Sequence, residues 1–74
     1  MEEKIIKILN GMHPEYDFHT SEDYIADGVL DSFDVVTLVT DLEEQFGISI
    51  DGEEIIPENF SNIDAIKKLI EKSA

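Results

Sequence analysis

Ser32-Phe33-Asp34-Val35-Val36-Thr37-Leu38-Val39-Thr40-Asp41-Leu42-Glu43-Glu44-Gln45-Phe46-Gly47 is the stretch that decides the fold. Val35, Leu38, Val39, Leu42 and Phe46 recur every three or four residues, which puts them on one face of an α-helix. The stretch contains no proline. Its single glycine, Gly47, stands where a left-handed residue closes a helix. The spacing predicts a helix from Ser32 to about Phe46. Ser32 falls at its start, where a serine is ordinarily an N-cap. Glu43 and Glu44 near the far end oppose the helix dipole, a weak sign of a purpose outside folding.

Upstream, Ile5, Ile6, Ile8, Leu9 and Met12 supply the buried side of a first helix from Glu2 to about Asn10, with Glu2 and Glu3 suited to its positive end. Gly11 and Pro14 bring it to a close. His13 to Asp31 show no sustained period. This long connection is acidic, with Tyr16, Phe18, Tyr24, Ile25, Val29 and Leu30 as scattered anchors, and a connection of that length is often functional. Downstream, Ile48-Ser49-Ile50 tucks isoleucines inward and Asp51-Gly52 marks a turn. Pro57 suits the first turn of a single short helical segment within Ile55 to Phe60. Ser61 or Asn62 caps a last helix to about Lys72, built on Ile63, Ile66, Leu69 and Ile70, with Lys67, Lys68 and Lys72 toward its negative end. The expected class is all-α: a small antiparallel four-helix bundle, three helices long and one short, forming one domain over residues 1–74.

Charge narrows the function. The chain has 18 acids against 5 lysines, a formal net charge of −13. Lys4, Lys7, Lys67, Lys68 and Lys72 all lie near the ends, and no lysine or arginine stands between Ile8 and Ile66. Nucleic-acid binding through phosphate neutralisation is thereby disfavoured. A field of this sign steers encounters with basic protein surfaces. The absence of cysteine excludes a disulfide framework and a thiolate metal site. No signal-peptide pattern and no membrane-length apolar run is present, so the expectation is a cytoplasmic monomer.

No constellation for catalysis emerges. No pair of carboxylates is singled out for acid–base work. His13 and His19 lack metal spacing and read as exposed loop histidines. Asp51-Gly52-Glu53-Glu54 fails the pattern of a calcium loop. The expectation is no catalytic residue and no metal.

The run Gly28-Val29-Leu30-Asp31-Ser32-Phe33-Asp34-Val35-Val36 remains, with Leu38-Val39 and the block Asp41-Leu42-Glu43-Glu44-Gln45-Phe46-Gly47-Ile48-Ser49-Ile50 behind it. Together they resemble the acyl and peptidyl carrier proteins over nearly the whole chain. The resemblance implies a carrier without catalytic activity. Ser32 would receive a 4′-phosphopantetheine arm from coenzyme A through a phosphopantetheinyl transferase that needs magnesium. Asp31 would be the residue associated with recognition by that synthase. The arm's thiol would hold cargo as a thioester, which fits a chain with no cysteine of its own.

The second helix also reads as a docking surface. Asp34, Thr37, Asp41 and Glu44 recur away from the core, with Glu43 beside them, and Phe33, Val36 and Thr40 form an adjacent stripe. In the family such a helix meets basic, partly apolar patches on a loading ligase and on downstream biosynthetic enzymes. The alternative for Phe33 and Val36 is packing beneath the first loop. Thr37 and Thr40 stand where many fatty-acid carriers have an acid and a larger apolar residue, and Phe33 where leucine is commoner. The leading reading is a freestanding carrier of acyl groups for fatty-acid, polyketide or related biosynthesis. An aminoacyl or D-alanyl carrier for nonribosomal peptide or cell-wall pathways stays open. So does an unmodified acidic adaptor, such as a nucleic-acid mimic.

Overall fold

The apolar spacing produces helices at the expected places. In a computed structural model, which describes residues 2–18 and 23–74, α1 spans Glu2–Met12, α2 spans Ser32–Phe46 and α3 spans Ile63–Ser73. Two 3-10 turns, Gly52–Glu54 and Pro57–Phe60, lie between α2 and α3. There is no strand among the described residues. The protein is all-α, as expected. No helix is long and apolar enough to cross a membrane among those residues.

Helix α1 runs through Gly11 rather than stopping at about Asn10, and the His13 N–H carries the helical bonding on to the Leu9 carbonyl at 2.9 Å. A glycine costs a helix about 1 kcal/mol. Packing of Met12 against the core offsets that cost and keeps the last turn wound. Helix α2 buries Val35, Leu38, Val39 and Leu42. Gly47 ends it at φ 62°, donating its N–H to the Glu43 carbonyl. Positive φ is costly for any side chain with a Cβ, hence the glycine. Glu43 has a folding role that its position against the dipole did not reveal. Its Oε2 accepts the Ile50 N–H at 2.9 Å and pins the segment leaving α2.

The single short helix expected within Ile55–Phe60 is instead part of two turns. Ile56 precedes Pro57, and the proline ring drives it to extended backbone (φ −126°, ψ 152°). That residue separates the turns. Asn59 ties them together, donating to the Glu54 carbonyl at 2.7 Å and to its Oε2 at 3.1 Å. Lys72 of α3 reaches Glu54 Oε1 at 2.7 Å. The Lys72 contact and the Asn59 amide hold the Glu54 carboxyl below its ordinary range against slight desolvation. Asn62 is the cap of α3, accepting from the Ala65 N–H at 2.8 Å.

The core joins Ile5 and Leu9 of α1, the buried face of α2, Phe60, and Ile66, Leu69 and Ile70 of α3. Described residues of the first connection are part of that core. Phe18, Tyr24 and Leu30 are all buried. Tyr24 is its knot: the hydroxyl donates to the Phe18 carbonyl at 2.7 Å and the N–H to the Ser61 carbonyl at 2.7 Å. Its own carbonyl accepts from Val29 and Leu30. The chain is therefore fixed in place as it approaches Asp31.

Candidate functional site

Asp31, not Ser32, is the N-cap of α2. Its backbone is extended and its Oδ1 accepts the Asp34 N–H at 2.9 Å. The Asp34 carboxylate returns the bond, its Oδ2 accepting from the Asp31 N–H at 3.3 Å. This is a reciprocal capping box with aspartate in both places. The return bond is what selects Asp31 over Ser32, because Ser32 has Val35 three residues on and nothing to reciprocate. The Asp31-x-x-Asp34 spacing was the signal in the sequence.

Ser32 becomes the first helical residue, and it is exposed. Its hydroxyl makes no hydrogen bond among the described residues, and neither its N–H nor that of Phe33 has an acceptor there. An exposed oxygen thus sits beside unpaired donors at the positive end of a 15-residue helix.

His13 corrects the expectation of an exposed loop histidine. It is half-buried, and its Nε2 lies 3.0 Å from Asp34 Oδ2. A carboxylate only accepts, so Nε2 carries the hydrogen. Partial burial pushes the Asp34 carboxyl up. The bond from His13, the Asp31 N–H and the His13 charge outweigh that and leave it below its ordinary range. Twenty-one residues separate the pair, so no local spacing could have shown it. His19 lies outside the described residues.

On one side of Ser32 opens a groove of about 520 Å³. Ile25, Leu30, Val35 and Val36 line it, together with Ile55, Ile56 and Pro57 from the segment before α3. Ile55 and Ile56 are exposed by 37% and 41%. Their part in this site went unread, although two adjacent isoleucines before a proline in an acidic segment were a signal.

The docking candidates divide into two sets. Phe33 and Val36 are 84% and 62% exposed, so neither packs beneath the first loop. With Thr37 and Thr40 they make one exposed stripe at helical spacing. The Thr37 hydroxyl donates to the Phe33 carbonyl at 3.1 Å and that of Thr40 to the Val36 carbonyl at 3.3 Å. Among the acids, Glu44 is exposed, whereas Asp34, Asp41 and Glu43 are half-buried. Asp34 and Glu43 are further engaged in the cap and in the bond to Ile50. Among the described residues no group of histidines and carboxylates is placed to hold a metal ion.

Residues 12–70 match the family model described as phosphopantetheine attachment site. The chain belongs to this phosphopantetheine-binding family. No curated protein and no solved structure matches it. Membership makes the chain a non-catalytic carrier of phosphopantetheine, served by a phosphopantetheinyl transferase and by biosynthetic partner enzymes. The residues present fit such a group. A phosphodiester on an exposed oxygen at the start of α2 would meet the free N–H groups and the positive helix end. The apolar groove beside it offers a wall for the uncharged part of an arm. When bound, the arm supplies a thiol that carries cargo as a thioester.

Proposed function

We propose that Ser32 Oγ is the attachment oxygen and that the chain carries an acyl group between the enzymes of a biosynthetic pathway. The observation behind this is an exposed hydroxyl, unpartnered among the described residues, at the first position of α2, in a chain that belongs to a phosphopantetheine-binding family. Attachment forms a phosphorus–oxygen bond to Ser32, breaks the pyrophosphate bond of coenzyme A and releases adenosine 3′,5′-bisphosphate. The hydroxyl proton passes to the transferase. Asp31, beside Ser32, is the residue the transferase recognises.

The groove supports acyl over aminoacyl or D-alanyl cargo, since Ile25, Leu30, Val35, Val36, Ile55, Ile56 and Pro57 make most of its lining and can cover a hydrocarbon chain, with Asp31 and Ser32 as its polar part. Partner enzymes dock on the Phe33, Val36, Thr37 and Thr40 stripe, with Asp41 and Glu44 at its margin meeting basic residues. Loading ligase and downstream enzymes share this face in turn.

Intact mass after incubation with coenzyme A and a promiscuous transferase tests the reading. The chain should gain about 340 Da, the approximate mass of the arm, and Ser32→Ala should gain nothing. No gain with several transferases would leave the unmodified acidic adaptor as the better account.

A further inference from the structure

The His13–Asp34 contact is not needed to close the core, yet it connects the end of α1 to the residues that flank Ser32. His13 is the first residue after α1, and its N–H still bonds to Leu9, so the backbone beneath the ring is held by the helix. Asp34 Oδ2 accepts from both His13 Nε2 and the Asp31 N–H. The Asp34 N–H in turn occupies Asp31 Oδ1. The bonds thus run in series from His13 through Asp34 to the carboxylate of Asp31, an exposed residue.

We infer that His13 is a positioning residue for loading of the arm: through Asp34 it holds the Asp31 carboxylate in the orientation that the transferase meets. The inference rests on the reading of Ser32 as the attachment oxygen. A protonated His13 makes the bond to Asp34 charge-assisted, about twice as strong as the neutral form. Histidine side chains change charge between pH 5 and 8. The titratable groups facing His13 are few among the described residues. Asp34 comes from α2, with Asp31 behind it, and Glu15 and Tyr16 line the same shallow pocket; no lysine does. The apo chain is therefore the better transferase substrate at the acid end of that range, through KM rather than kcat.

His13→Gln and His13→Ala decide it. Glutamine keeps a donor toward Asp34 but cannot charge. At pH 5.5 the wild-type chain should exceed His13→Gln in kcat/KM by about five-fold, the ratio expected when a neutral hydrogen bond replaces a charge-assisted one. At pH 8.5 the two should be nearly equal. His13→Ala should raise KM about ten-fold at pH 5.5, for loss of the whole bond, with kcat unchanged. Circular dichroism confirms that each variant is folded. The Asp31 amide resonance should follow a titration between pH 5 and 8 in the wild type and stay flat in His13→Gln. Superimposable pH profiles, or an effect confined to kcat, would overturn the role of His13 while leaving Ser32 intact. If the wild-type chain itself gains no mass, the reading of Ser32 fails first and the inference with it.

Discussion

Replacing Tyr24 with phenylalanine removes one oxygen and leaves the ring. Tyr24 is 0% exposed, and its hydroxyl donates to the buried Phe18 carbonyl at 2.7 Å. Without it that carbonyl is a buried acceptor with no donor, a loss of about 1–3 kcal/mol. The edge-on packing of the ring against Phe18, at 5.0 Å between centroids, is kept, so little cavity opens. A chain of 74 residues has a total stability of roughly 4–11 kcal/mol, so the change is a large share. At about 4–8 °C per kcal/mol for a domain of this size, Tyr24→Phe should melt about 4–24 °C below the parent at neutral pH. Thermal circular dichroism measures this directly. A second signature lies at high pH. Burial, helped by Tyr16 and Asp17, pushes the Tyr24 hydroxyl from 10.0 up to about 12. A raised folded value means the contribution is whole below pH 10 and is lost as pH rises from about 10 to about 12. The parent and variant melting curves should converge across that window. A drop under about 2 °C at neutral pH, or a constant gap up to pH 12, would refute the assignment of Tyr24 as the knot of the first connection.

Because Asp31 is the cap, Ser32→Ala should change stability by no more than about 0.5 kcal/mol, whereas Asp31→Ala should cost about 1 kcal/mol; urea midpoints of the unmodified chains compare them, and equal losses would restore capping to Ser32. Gly47→Ala forces a Cβ into a left-handed φ of 62° and should cost about 1 kcal/mol by the same assay, with no steric contribution because the space around it is open. Asp34 titrates below its ordinary range. Its contribution is therefore present at neutral pH and is lost as pH falls below about 4. Asp34→Asn should narrow the gap to the parent on acidification from pH 6 to pH 2.5, and a gap that stays constant would contradict the pairing with His13 and Asp31.

The helices were legible because each repeats its apolar residues at three and four. Gly47 announced its own turn for the same local reason, and Asn62 was one of two caps already in view. Ser32 was legible as a special position but not in its true role at the helix start. Both Asp31 and Ser32 are good caps, and only the reciprocal bond from Asp34 decides between them. The turns around Pro57 were half legible. The proline was read as a start, but its effect on Ile56, which splits the segment, was not. Tyr24 and His13 were illegible for another reason. Their partners are backbone carbonyls and a carboxylate brought near by the fold, and no period in the sequence encodes such meetings. The groove beside Ser32 belongs to the same class, since Ile55 and Ile56 meet Val36 only across space.

Thr37 and Thr40 turn their hydroxyl hydrogens back onto the carbonyls one turn earlier. Both side chains are exposed, with the hydroxyl hydrogen of each already committed. By composition the stripe reads as half polar. From Phe33 to Thr40, however, its side-chain donors are already spoken for. A face with so few free donors forms few specific bonds that must be broken on parting. If partner enzymes dock on this stripe as proposed, residence on any one of them is set by area and by the marginal charges, both of which permit quick release. For a carrier that visits several enzymes in succession, letting go is as much a requirement as binding.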